Sequence, residues 1–147
     1  MKKLIIMLIS VISMYSASAQ KYTDQYIKDA SIVAESWLSD INDKQYESAY
    51  RLLTSETKAN YIREEWIFFL RELMLEFGKF QERKITSSIF QGSIEGLEDG
   101  FYVIIEYNSN YKNTINHEEY LLVKQNDKLK WEIESFNYKF VKLDGSK

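Results

Sequence analysis

The sequence predicts an α+β domain, with N-terminal helices packed on one face of a curved antiparallel sheet of about four strands. Three observations carry that expectation. Apolar residues recur at three and four up to Phe77, then alternate with polar residues. Gly78 stands at the switch, where a helix end favours a left-handed residue. The later strand segments are joined by short links, as antiparallel neighbours are. Helices first and strands second is the α+β order.

The 147 residues suit one domain. Residues 1–19 read as a secretory signal: Lys2 and Lys3, an apolar run from Leu4 to Ile12, then Ala17-Ser18-Ala19, with cleavage expected after Ala19. The run is shorter than the ~20 residues of a membrane-spanning helix, and no later stretch reaches that length. Residues 20–147 are therefore expected to form one exported domain, periplasmic or extracellular, with no transmembrane segment. No Cys follows the signal to carry a lipid anchor.

The first helix is expected from Lys21 to Ile41, where Tyr26, Ala30, Val33, Trp37 and Ile41 share a face and Thr23 caps the start. Asp43 caps a second, shorter helix through Leu53, antiparallel to the first. Thr54-Ser55-Glu56-Thr57 opens a turn or short helix to Asn60. The long helix before Gly78 carries Trp66, Phe69, Leu70, Leu73 and Phe77 on one stripe, widened by Ile62, Ile67 and Met74. Its ~24 Å is enough to cross a four-stranded sheet. Strands are expected over Phe80–Phe90, near an edge, then Phe101–Tyr107, Thr114–Lys124 and Leu129–Phe140. Gly92, Gly96 and Gly100 punctuate one loop, and Gln125-Asn126-Asp127-Lys128 forms a hairpin turn.

Without Lys2 and Lys3 the chain has 17 basic against 22 acidic residues, a net charge of −5. That balance argues against nucleic-acid binding, which needs a basic face. The chain has no Cys, so no disulfide supports it and the core must supply its stability. His117 is the only histidine. One His without Cys is too few ligands for a zinc site; the other role open to His117 is an acid–base pair with a carboxylate, and the preferred reading is an ordinary strand or turn residue. Glu95, Glu98 and Asp99 lack the oxygen-ligand spacing of a calcium loop. No glycine opens a phosphate loop, and no cofactor is expected.

Trp37-Leu38, Tyr46 nine residues after that Trp, and Ala49-Tyr50 resemble the opening helix pair of an exported bacterial family, the domain of unknown function 4019 (DUF4019). Trp66, Gly78 and Arg83-Lys84 resemble its central block. Glu119 and Trp131-Glu132-Ile133-Glu134-Ser135-Phe136 resemble its closing strand. Asn42 and Lys44 stand where the family has Asp and Gly, Met74 where it often has Arg, and Ser135-Phe136 where it has Gly-Tyr. The resemblance implies a fold similar to the nuclear transport factor 2 (cystatin-like) superfamily and implies no activity.

Arg83 and Glu119 form a carboxylate–guanidinium pair if their strands are neighbours; the alternative role for Arg83 is to bind an anion in a pocket. Trp37, Tyr50, Trp66, Tyr120 and Trp131 are either core or the lining of a pocket for a small apolar ligand. Tyr50, Trp66, Arg83 and Glu119 are the candidate pocket or structural residues, and no catalytic or metal residue is assigned. An isomerase-like site needs a buried carboxylate beside a Tyr, with Asp40, Asp43 and Glu119 as the residues to inspect. Function therefore divides between a non-enzymatic binding or assembly module and a small-molecule or isomerase-like pocket between helices and sheet. Apolar residues on both faces of Tyr102–Tyr107 add a homodimer through the sheet.

Overall fold

A computed structural model describes the backbone of residues 2–143 and the side chains of residues 19–143. Four helices precede four strands: α1 (Lys2–Asn42), α2 (Tyr46–Arg51), α3 (Ser55–Ala59), α4 (Arg63–Phe77), β1 (Phe80–Gln91), β2 (Tyr102–Tyr111), β3 (Thr114–Gln125) and β4 (Trp131–Lys142). The sheet is an antiparallel meander in the order β1-β2-β3-β4. The helices cover one of its faces, so the fold class is the one the sequence predicts.

The first helix is longer than expected. No Gly or Pro precedes Gly78, so nothing interrupts the helix near Thr23. Thr23 is not an N-cap; its hydroxyl donates back to the Ala19 carbonyl at 3.1 Å, as Thr does inside a helix. The core residues of α1 are Ala30, Ala34, Trp37, Leu38 and Ile41. All lie beyond Ala19, so the expected cleavage spares them. Asp43 is not the cap of α2, whose N-cap is Gln45 without a side-chain bond. Instead Asp43 accepts from Ser39 at 3.3 Å, and Lys44 takes a left-handed φ of 62°. Glycine adopts that backbone more readily than Lys does.

Thr54 caps α3, accepting from the Thr57 N–H, as its sequence signal predicts. Leu53 leaves the helix to form an isolated parallel bridge with Ile133. In α4 the buried residues are Ile67, Leu70, Leu73, Met74 and Phe77. The buried stripe is narrower than expected: Ile62 and Phe69 are exposed, because the face centred on Leu70 packs mainly on α2 and α1, with Phe77 at its end reaching the sheet. Leu129 lies in the turn with a φ of 59° and is exposed, so β4 starts two residues later than expected.

Gly78 ends α4 with φ 79° and ψ −162°, a region open to glycine alone. A Cβ there would meet the Asn113 side chain at 2.7 Å. Asn113 completes the end of the helix: its N–H donates to the Phe77 carbonyl at 3.0 Å. Gly78→Ala is expected to lower stability by about 1–3 kcal/mol, read as a lower midpoint in urea unfolding. An unchanged midpoint would show that the turn relaxes freely.

Candidate functional site

Alternation along β2 points Val103, Ile105, Tyr107, Ser109 and Tyr111 at the helices, and all five are buried. On β3 the same face carries His117 and Glu119, two residues apart. The registers set Arg83 opposite Ser109, Ser109 opposite His117, and Tyr107 opposite Glu119. Polar residues from three strands thus meet on the buried face.

Glu119 is fully buried and is the acceptor at the centre. Arg83 grips it with two donors, Nε to Oε2 at 2.6 Å and Nη2 to Oε1 at 3.1 Å. The Ser109 hydroxyl donates to Oε2, and the Tyr111 hydroxyl to Oε1 at 2.8 Å. Arg83 Nη2 also donates to the Tyr111 oxygen at 2.8 Å. Charge-assisted bidentate bonds of this kind are the strong ones. The Tyr111 hydroxyl lies 3.2 Å from the Asn42 Oδ1 at the end of α1, so the cluster joins helix to sheet. Strands β1 and β3 are separated by β2, so the pair does not join neighbouring strands as expected. Arg83 reaches across β2 instead, and the small Ser109 leaves room for it.

His117 belongs to the same cluster: it is a strand residue, as expected, but a buried one that packs beside Glu119. Its Nδ1 lies 2.9 Å from Thr114 Oγ1, and its ring is edge-on to Phe77 and stacked on Phe140. Nε2 has no hydrogen-bond partner and stands 3.8 Å from Glu119 Oε1. We assign the neutral ring's proton to Nε2, because Thr114 then donates to Nδ1 and Glu119 faces an N–H instead of a lone pair. Burial pushes the imidazole below its ordinary range, with Arg83 acting in the same direction and Glu119 opposing it. The contact with Glu119 is therefore not an ion pair at neutral pH.

A group neutral in the fold but protonated in the unfolded chain stabilises fully above its unfolded pKa. That contribution is lost as pH falls from about 6.5, the ordinary value, towards the lower folded one. The groups facing His117 are Thr114, Glu119, Arg83 and Tyr111. Between pH 7 and 5 the native protein should lose more stability than His117→Gln in paired denaturation curves. Parallel curves would show that His117 titrates normally.

Beside Arg83 lies a cleft of about 390 Å³ between the end of α1 and the β1 edge. Leu38, Phe80 and Ile85 give it apolar walls, Glu35 and Asp43 an acidic rim. The Arg83 guanidinium stands over the Phe80 ring at 4.7 Å. Tyr107 also lines the cleft, and its buried hydroxyl has no partner. Burial first, and Glu35 second, hold that phenol in its protonated form. A second hollow of about 410 Å³ adjoins and shares Asn42, Asp43 and Phe80.

The structure brings together Arg83 and Glu119 but not the other two candidates. Tyr50 and Trp66 pack on each other, edge to face at 5.4 Å, away from the cluster. The five aromatic residues considered as one pocket do not form it: Trp37 Nε1 donates to the Ala49 carbonyl in the core, and Tyr120 bonds Glu118 across the sheet's other face. Of the three carboxylates, Glu119 alone is buried, beside Tyr111. Its hold by Arg83 leaves no free base. Sequence reasoning misses Ser109, Tyr111 and Asn42, whereas His117 does stand beside a carboxylate, Glu119. The period-two pattern from Val103 was the available signal for Ser109 and Tyr111, since it puts both on the core face.

Among the described residues no group of three or more His, Cys, Asp or Glu is placed to hold a metal ion, and no helix is long and apolar enough to cross a membrane. A family profile described as "protein of unknown function (DUF4019)" matches residues 33–136. No curated protein and no solved structure matches the chain. The matched span contains the whole polar cluster.

Proposed function

The chain belongs to the DUF4019 family, and from that premise we propose that it is an exported, non-enzymatic binding module. Its cleft between α1 and β1 takes a small, largely apolar molecule. The observation that carries this reading is the cleft itself, within the 300–1,000 Å³ range of ligand sites at about 390 Å³. Apolar walls and a few polar groups are the usual make-up of such a site. Arg83 does not serve as an anion receptor, because Glu119 neutralises it and the rim is acidic. His117 is sealed behind aromatic rings, so acid–base chemistry has no exposed agent in the cluster. The helix-then-sheet order supports the likeness to the nuclear transport factor 2 superfamily, and the basic start, apolar run and Ala17-Ser18-Ala19 support export.

The neutral apolar dye Nile red tests the cleft. Saturable fluorescence enhancement is expected, and Ile85→Trp, which fills the cleft from an exposed position, should abolish it. No saturable binding, or binding indifferent to Ile85→Trp, would sink the reading.

A further inference from the structure

We propose that the free edge of β4 and the groove between β4 and α4 form a docking site for an extended peptide segment of another protein. The site is at the opposite edge of the sheet from the cleft and does not depend on it. On the free side of β4, the Ile133 N–H donates to the Leu52 carbonyl at 2.8 Å, and the Ile133 carbonyl accepts from the Thr54 N–H at 2.9 Å. The Thr57 hydroxyl then donates to the Glu134 carbonyl at 2.7 Å. Leu52–Thr54 is thus a minimal parallel strand on this edge. It goes no further, because the chain turns into α3 at Ser55.

From Ser135 to Lys142, among the described residues, no backbone group on the free side has a protein partner. An antiparallel ladder leaves alternate N–H and C=O groups pointing out of the sheet. Such an edge is a template for another strand unless it is covered. Here only its first part is covered.

Beside the open part lies a groove of about 200 Å³. Its walls are Tyr61, Trp66 and Phe69 on one side and Phe136 and Tyr138 on the other. Tyr61 and Phe69 are each 56% exposed, unusual for large aromatic side chains beside a core. The groove is smaller than a small-molecule site and suits one bulky side chain. Strand addition draws affinity from main-chain bonds and specificity from such side-chain pockets. The occupant inferred is an extended segment running parallel to β4, in line with Leu52–Thr54, with one large apolar side chain in the groove.

The probe is a nine-residue acetylated peptide of alternating threonine and valine, with phenylalanine at its centre and lysine at each end. Its titration into the full domain, to millimolar concentration, is followed by backbone amide NMR. Shifts concentrated at residues 135–139 and at Trp66 are expected. Methylating alternate peptide nitrogens should weaken binding roughly tenfold, the equivalent of about 1.4 kcal/mol. Phe69→Glu, at an exposed position, should abolish binding without changing the circular dichroism. Absence of binding, equal binding of the methylated peptide, or shifts elsewhere would overturn the proposal. So would shifts at 135–139 that arise only from self-association of the protein.

Discussion

Glu119→Ala is expected to cost about 3–5 kcal/mol, as removing one partner of a buried ion pair does. The size follows from what is left behind. Arg83, with a side chain only 12% exposed, would keep its charge without a counter-ion. Ser109 and Tyr111 would lose their acceptor in the same buried space. Burial acts against Arg83's charge, and its bond to Glu119 outweighs that, raising the guanidinium's pKa. With Glu119 gone, its main support is lost and only the weaker influence of Tyr111 and Tyr107 still opposes burial. The double variant Arg83→Met, Glu119→Ala removes both charges and should recover much of the loss, since unpaired burial is the main penalty. Urea denaturation of the three proteins measures this. A loss below about 1 kcal/mol for Glu119→Ala would rank the pair with exposed salt bridges.

The fold was legible because hydrophobic period and punctuation agree. The helical spacing runs to Phe77, Gly78 stops it, and the alternation after it fixes the strands. The starts of α1 and β4 were misplaced for local reasons. Thr23 is a good cap residue, but nothing breaks the helix before it. Leu129 continues the apolar alternation, yet its left-handed backbone keeps it in the turn. The site was only half legible. Arg83 and Glu119 are charges on strands and stand out in a sequence. Ser109 and Asn42 are small polar residues whose importance comes from the register and from where α1 ends. His117 resembles an exposed residue beside Glu118 and Glu119. Its neighbours Phe77 and Phe140 come from α4 and β4, and sequence distance hides that enclosure. Tyr50 and Trp66 showed the reverse limit: aromatic content marks burial but does not say which rings meet.

Phe77→Ala should cost a further about 3–5 kcal/mol, the usual range for deleting a buried Phe, and should also change the chemistry of the cluster. Phe77 is fully buried at the end of α4. Its ring packs against His117 at 4.4 Å, Phe140 at 5.1 Å, Tyr111 at 5.2 Å and Tyr138 at 5.3 Å between centroids. These rings come from β2, β3 and β4, so one side chain ties the helix to three strands. Its removal leaves a cavity beside a polar cluster. A cavity with polar partners admits water, whereas an apolar one stays dry. Water reaching Nε2 of His117 would weaken the burial that holds its pKa down. The imidazole should therefore titrate closer to 6.5, the ordinary value, and the acid sensitivity between pH 7 and 5 should shrink even as the protein becomes less stable. Because His117 is the only histidine, its ring protons give an isolated NMR signal for the titration. Phe77→Leu keeps much of the packing and should lie between the native protein and Phe77→Ala in both stability and titration. Reduced stability with an unmoved His117 titration would mean that Phe77 supports packing alone. Both changes together would show that this ring also keeps the Arg83–Glu119–His117 cluster dry.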